Sequence, residues 1–142
     1  MTWRTYLCEI SDKSALVLIE DRFADQFPVD ELPLLSWFGV YCHKPTEGAF
    51  WNPDETNLLD RLENDLLKLS EQFGHGWAVY VFRLATTGIR EYYLYHTDAA
   101  EMRRALEELR RLYPNYRIDF DTTDDAKWEQ YRRYVSLINE TA

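Results

Sequence analysis

The chain has little of what metal and redox chemistry require. Its 142 residues include two cysteines and three histidines. Cys8 and Cys42 are too few and too far apart for a disulfide framework or a zinc site, and they read as buried thiols. His43, His75 and His96 fall at two strand ends and a helix end without metal-ligand spacing. Neighbouring strand residues point to opposite faces, so Cys42 and His43 cannot converge as a nucleophile and base. No metal and no cofactor are expected. Long apolar runs are missing too. Ala15 to Ile19 is among the longest and falls far short of a membrane span. The opening residues reach Glu9 and Asp12 before any signal-peptide core develops, so a cytoplasmic protein with no membrane partner is expected.

Basic residues are also scarce. Sixteen Lys and Arg face 25 Asp and Glu, for a net charge of −9. Residues 1–75 hold 14 acids against 6 bases, and residues 76–142 hold 11 against 10. Such an acidic first half repels phosphate backbones, which disfavours nucleic acid. It favours a basic protein partner through long-range steering, or self-association. What the chain does have is apolar mass: 46% apolar residues, 15% of the total aromatic. At this length folding buries roughly two-thirds of the unfolded surface, enough for a core without staples. A single domain over 1–142 is expected, with no repeat, linker or low-complexity tract.

The pattern along the chain predicts an N-terminal hairpin in 1–22, with strands over 3–10 and 14–21 and a turn at Ser11-Asp12-Lys13. An acidic, proline-containing connection runs from Phe23 to Pro33. Residues 34–43 form a strand with apolar residues on both faces. A loop with Gly48 leads to Asn52-Pro53-Asp54-Glu55, which reads as a helix start. There Asn52 caps, Pro53 takes the first position and Glu55 returns a bond to the cap. Leu58, Leu62, Leu66, Leu69 and Phe73 form that helix's stripe, and Gly74 and Gly76 end it. Strands over 77–84 and 89–96 meet around Ala85-Thr86-Thr87-Gly88. Asp98 and Glu101 resemble a capping box, opening a helix with the stripe Ala99, Met102, Leu106, Leu109 and Tyr113, which Pro114 closes. A strand follows over 116–120. A last helix over 124–139, capped by Asp124 or Thr123, carries Trp128, Tyr131, Val135 and Ile138 on one side. Residues 34–121 therefore run β-α-β-β-α-β. The expected fold is α+β, a ferredoxin-like antiparallel sheet with the hairpin and the last helix added. In that order 34–43 and 89–96 are paired neighbours, and both helices cover one face.

The strand Gly88-Ile89-Arg90-Glu91-Tyr92-Tyr93-Leu94-Tyr95 marks the candidate site. Alternation puts Ile89, Glu91, Tyr93 and Tyr95 on one face and Arg90, Tyr92, Leu94 and His96 on the other. Both faces carry large side chains, so something must cover each of them. Glu63 and Asp65 flank the leucine stripe and gain interest if they reach Arg90. The acids Asp119, Asp121, Asp124 and Asp125 lack the glycine and terminal glutamate of a calcium loop, and read as a strand face and a helix start.

Several of these pieces recur in one known family: Trp3 and Tyr6, the Gly48 loop, Leu62-Glu63-Asn64-Asp65-Leu66, the Gly88–Tyr95 strand and Asp125-x-x-Trp128-x-x-Tyr131. In order and spacing, over nearly the whole length, the chain resembles the bacterial family called domain of unknown function 695. Members of that family are sometimes fused to a domain similar to regulator of ribonuclease activity B, an inhibitor of ribonuclease E. The resemblance implies a bacterial, non-secreted α+β domain with no assigned activity, and supports a regulatory or protein-binding role by association alone.

Two functional expectations follow. The first is a non-enzymatic protein-binding or regulatory module whose acidic half meets a basic partner. The second is a small-molecule-binding domain or enzyme with a pocket around Arg90, Glu91 and Glu63. In it Arg90 would clamp an anion, Glu63 or Glu91 would act as base, and Tyr93 and Tyr95 would line the wall. The Asp125-x-x-Trp128-x-x-Tyr131 segment reads as structural, docking its aromatics onto the domain.

Overall fold

A computed structural model describes residues 3–10, 13–44 and 50–141, with side chains as far as residue 137. Ser11, Asp12, Gly48 and the Ile138 side chain, named above, lie outside the described residues. Strands β1 (Trp3–Ile10), β2 (Lys13–Glu20) and β3 (Leu34–Tyr41) come first. Helix α1 (Thr56–Gly74), β4 (Ala78–Thr86), β5 (Ile89–His96), α2 (Ala99–Leu112), β6 (Ile118–Asp124) and α3 (Glu129–Thr141) follow. The fold is α+β. All six strands join one antiparallel sheet in the order β1-β2-β4-β5-β3-β6. β3 and β5 are paired neighbours over their full lengths, from Leu34 opposite His96 to Tyr41 opposite Ile89. Among the described residues no helix is long and apolar enough to cross a membrane.

Both faces of the sheet are covered. On one, Phe38, Val40, Tyr92 and Leu94 pack under the α1 leucines and under Ala105, Leu106 and Leu109 of α2. On the other, Val17, Ile19, Leu35, Phe82 and Tyr95 pack against Trp128, Tyr131, Tyr134 and Val135. The connection before β3 adds Phe23, Phe27, Val29 and Leu32 to this second core, so it is an apolar plug as well as an acidic link. The hairpin lengthens the sheet by pairing β2 with β4, from Leu16 opposite Ala85 to Ile19 opposite Phe82. β4 keeps both faces filled through an irregularity between Tyr80 and Phe82. Val81 and Phe82 consequently both enter the second core, as a bulge permits.

Several local expectations are corrected. Asn52 does cap, accepting from Asp54 N at 2.9 Å, but it caps a short 3-10 turn over Pro53–Glu55 that leads into α1. The Glu55 carboxylate does not return to the cap. It accepts from the amides of His43 and Lys44, both at 2.9 Å, and from Tyr116 Oη at 2.6 Å, tying the end of β3 to the start of the helix. Within α1, Leu59 heads the buried stripe three residues before Leu62, and Leu58 lies at the surface. Ala99 is exposed and Ala105 takes its place in the α2 stripe. Asp98 Oδ1 accepts from Glu101 N at 3.2 Å, but the reciprocal half of the capping box is absent because Glu101 pairs with Arg104. The first residues of the expected 124–139 helix are not helical. β6 continues pairing with β3 as far as Asp124 opposite Leu34, and the helix starts at Glu129.

Trp128 consequently precedes α3, with a φ of 55° in the left-handed region. Its indole stacks on Tyr95 at 4.0 Å between ring centres, and its Nε1 donates to Leu32 O at 2.9 Å. Tyr131 Oη donates to Glu20 O at 2.6 Å. Trp128 is wholly buried, whereas Trp77 is 52% exposed. Urea unfolding should therefore separate them: Trp128→Ala costs about 3–5 kcal/mol, and Trp77→Ala stays within about 0.5 kcal/mol.

Candidate functional site

Charges are rare inside a sheet layer, and this one places two arginines on the face under α1, Arg90 buried and Arg83 partly buried. Arg83 of β4 stands opposite Tyr92 of β5, and Arg90 lies two residues from Tyr92 on the same face. Above them α1 presents Asp60 and Glu63, three apart and so on one flank. Glu63 Oε1 lies 2.7 Å from Arg83 Nη1 and 3.7 Å from Arg90 Nη1. Asp60 Oδ1 lies 3.3 Å from Arg90 Nη1. The Trp51 ring covers Arg90, with 3.9 Å from Cζ to the ring centre, and its Nε1 is held by Thr56 Oγ1 at 2.8 Å. Arg90 is left 1% exposed.

Four buried polar atoms in this cluster have no hydrogen-bond partner among the described residues: Tyr80 Oη, Tyr92 Oη, Arg83 Nε and Arg90 Nε. Native interiors leave few such atoms. Burial pushes the Tyr92 hydroxyl up to about 12, against the opposing pull of Arg90. The Tyr80 hydroxyl is driven well above its ordinary value by burial and by the Glu63 charge. Beside the cluster, a recess of about 610 Å³ opens between α1 and the hairpin end of the sheet. Trp3, Leu18, Ala78 and Tyr80 line it from the sheet, and Glu63, Leu67 and Glu71 from the helix.

Of the five residues read from the sequence as a site, the structure brings together Glu63 and Arg90. Glu91, Tyr93 and Tyr95 lie on the opposite face, as strand alternation requires. Tyr93 Oη donates to Glu91 Oε2 at 2.6 Å, and its ring stacks on Phe82. Tyr95 Oη donates to Asp125 Oδ2 at 2.6 Å. The tyrosines beside Glu63 and Arg90 are instead Tyr80 and Tyr92. Sequence reasoning passed over Arg83, Asp60 and Trp51. The signal for Arg83 was available, since it interrupts the apolar run from Ala78 to Ala85.

A second polar group resembles a catalytic pair without the chemistry of one. Ser36 Oγ lies 2.6 Å from His96 Nε2 and 2.6 Å from Thr122 Oγ1. His96 Nδ1 accepts from Asp98 N at 3.2 Å, so the neutral ring carries its proton on Nε2 and donates to Ser36. A donor at Nε2 cannot take the serine proton. Burial lowers His96 to about 4, against Asp98, which keeps the ring neutral. His43 stacks on Tyr116 at 3.9 Å and His75 ends α1, so the histidines do not meet. Among the described residues no group of three or more His, Cys, Asp and Glu is placed to hold a metal ion.

Residues 1–136 match DUF695, described as a family of unknown function. The chain belongs to this family. The DUF695 match takes in all the pieces that carry the resemblance, from Trp3 to Tyr131, and both the Arg83–Glu63–Arg90 cluster and the recess lie inside it. No curated protein matches the chain.

Two measurements test this reading of the site. Glu63→Gln leaves the partly buried Arg83 without its carboxylate and the buried Arg90 with Asp60 alone, and should cost about 3–5 kcal/mol in urea unfolding, whereas Asp60→Asn, at a carboxylate 56% exposed, costs under about 1 kcal/mol. His96 ordinarily titrates at 6.5 and in the fold near 4, so its contribution is complete above pH 6.5 and is lost as pH falls towards 4. The difference in stability between the parent and His96→Asn should shrink by about 3 kcal/mol across that window.

Proposed function

We propose that the chain is a non-enzymatic protein-binding module that takes an extended, basic segment of a partner protein as a seventh strand on β1. The contrast between the two edges of the sheet carries this reading. The β6 edge bears Asp119, Asp121 and Asp124, charges of the kind that blunt an edge against pairing. The β1 edge is eight residues long, carries one base and one acid, and exposes Leu7 at 68%. No described strand pairs with its outer side. An open edge offers backbone donors and acceptors to an extended peptide, and alternate side chains supply selectivity. The excess of acids in residues 1–75 makes a basic peptide the favoured occupant. A regulatory role rests on such binding.

Catalysis has less support, because the groups able to move protons are engaged structurally. Glu63 holds Arg83, Glu91 accepts from Tyr93, and Asp125 accepts from Tyr95 and from the start of α3. A pocket built around Arg90 and Glu91 is disfavoured by their placement on opposite faces and by the burial of Arg90. The ferredoxin-like description of residues 34–121 is part of the proposal. The order β4-β5-β3-β6, with α1 and α2 packed on one face, supports it.

Fluorescence anisotropy with two labelled octapeptides, one alternating Lys and Val, the other Glu and Val, tests the function. The Lys–Val peptide should bind and weaken as salt rises, and Leu7→Lys should weaken it about tenfold or more at unchanged melting temperature. Equal binding of the Glu–Val peptide, no binding of either, or an unaffected Leu7→Lys variant would overturn the proposal.

A further inference from the structure

The recess between α1 and the hairpin is not used by strand addition at β1, and its lining has a chemistry of its own. Glu63, Leu67 and Glu71 follow one another at four-residue spacing, which lines them along one flank of α1 above the recess. Both arginine contacts to Glu63 go to Oε1, and Oε2 takes no hydrogen bond among the described residues. The Glu71 carboxylate likewise has no ion pair or hydrogen bond among the described residues. The floor is aromatic: Trp3 and Tyr80 lie 5.0 Å apart between ring centres. Carboxylates over an apolar and aromatic floor recognise an organic cation, through a charge-assisted hydrogen bond at the head and through ring faces beneath. Arg22 also lines the recess and would favour an anion, but its guanidinium already lies 4.4 Å from the centre of the Phe23 ring, and the Arg83 charge beside the recess is met by Glu63 Oε1 at 2.7 Å.

We propose that this recess is a binding site for a small organic ammonium ion with an apolar body, the ammonium taken by Glu71 and the body laid on Trp3, Leu18 and Leu67, with Glu63 Oε2 adding negative charge about two helical turns away. The volume, about 610 Å³, holds such a molecule with room to spare. Because Glu63 is already committed to Arg83 through its other oxygen, Glu71 is the residue that discriminates charge.

Phenethylamine, 2-phenylethanol and phenylacetate share one body and differ in the charge of the head group. Isothermal titration of the whole chain with each should show saturable binding of phenethylamine, about tenfold or more tighter than of the other two. Glu71→Gln, at an exposed position that leaves the fold intact, should remove most of that preference. Leu7→Lys should not change it, which separates this site from the β1 edge. Equal affinity for all three probes, tighter binding of phenylacetate (Arg22 then governing the recess), an unaffected Glu71→Gln variant, or no saturable phenethylamine binding would overturn the assignment.

Discussion

The hydrogen bond from Tyr95 Oη to Asp125 Oδ2, 2.6 Å long, fastens the layer that closes the second face of the sheet. Asp125 holds four other points at once, one of them through its carbonyl, which accepts from Trp128 N at 2.9 Å. Its backbone N donates to Pro33 O at 2.9 Å, and its carboxylate accepts from Glu129 N at 2.8 Å and Gln130 N at 3.2 Å. One side chain thus joins the middle of the sheet to the first turn of α3, satisfying amides that a helix start leaves open. Tyr131 N donates back to the same tyrosine oxygen, which raises that oxygen's count of partners and sets the helix over Tyr95. Without this joint Val17, Ile19, Leu35, Phe82 and Tyr95 would face water together, and burial of such side chains supplies the main favourable term in folding. Among the described residues, then, the Asp125-x-x-Trp128-x-x-Tyr131 segment acts as a fastening. Its polar atoms are used inward, leaving little of it to present to a partner.

The other face contains the costlier arrangement. Two guanidiniums lie under α1 against one well-placed carboxylate, with a second carboxylate more than half exposed and screened by water. Ion pairs taken out of water seldom return their desolvation cost in full. Trp51 offsets part of it by laying its ring on Arg90, and among the described residues the hydroxyls of Tyr80 and Tyr92 take no hydrogen bond. An apolar set of similar volume would close this layer with less strain on its polar atoms. The charges therefore argue for a constraint other than stability. They hold Glu63 by one oxygen at the rim of the recess, which fixes the position of that carboxylate far more tightly than a free helix-border side chain would be fixed.

Much of this was legible in the sequence, and the failures have local causes. The doubly apolar strands over 34–43 and 89–96 correctly demanded cover on both faces, and their alternation assigned each side chain to its face. The α1 stripe begins at Leu59 and not at Leu58 because both lie at helical spacing from Leu62, three and four residues before it, and spacing alone does not separate them. The end of β6 was missed because Thr122, Thr123 and Asp124 are turn-forming or capping types. Pairing with β3 overrides that propensity. Of the site, the meeting of Glu63 with Arg90 stood only as a condition, since a carboxylate at a helix border is ordinarily solvated. Trp51 could not be anticipated, because it reaches Arg90 from a loop nearly forty positions away and no local pattern marks a ring that will stack on a cation.

The uncovered part of the molecule follows from a count of layers. α1 and α2 lie over the strands that fold between them, and the sheet extends past α1 by the width of the β1–β2 hairpin. On the α3 side the hairpin is anchored, with Val17 and Ile19 fully buried and Tyr6, Cys8 and Ile10 packed beside them. On the α1 side the hairpin meets only the flank of α1 that carries Glu63, Leu67 and Glu71, so Trp3 and Leu18 form the floor of a recess beneath it. A strand pinned on one face and bare on the other has lost most of its conformational freedom before any ligand arrives, and that lowers the entropy that binding must overcome. The open β1 edge and the recess are therefore two consequences of one geometric mismatch, a six-stranded sheet under a two-helix cover.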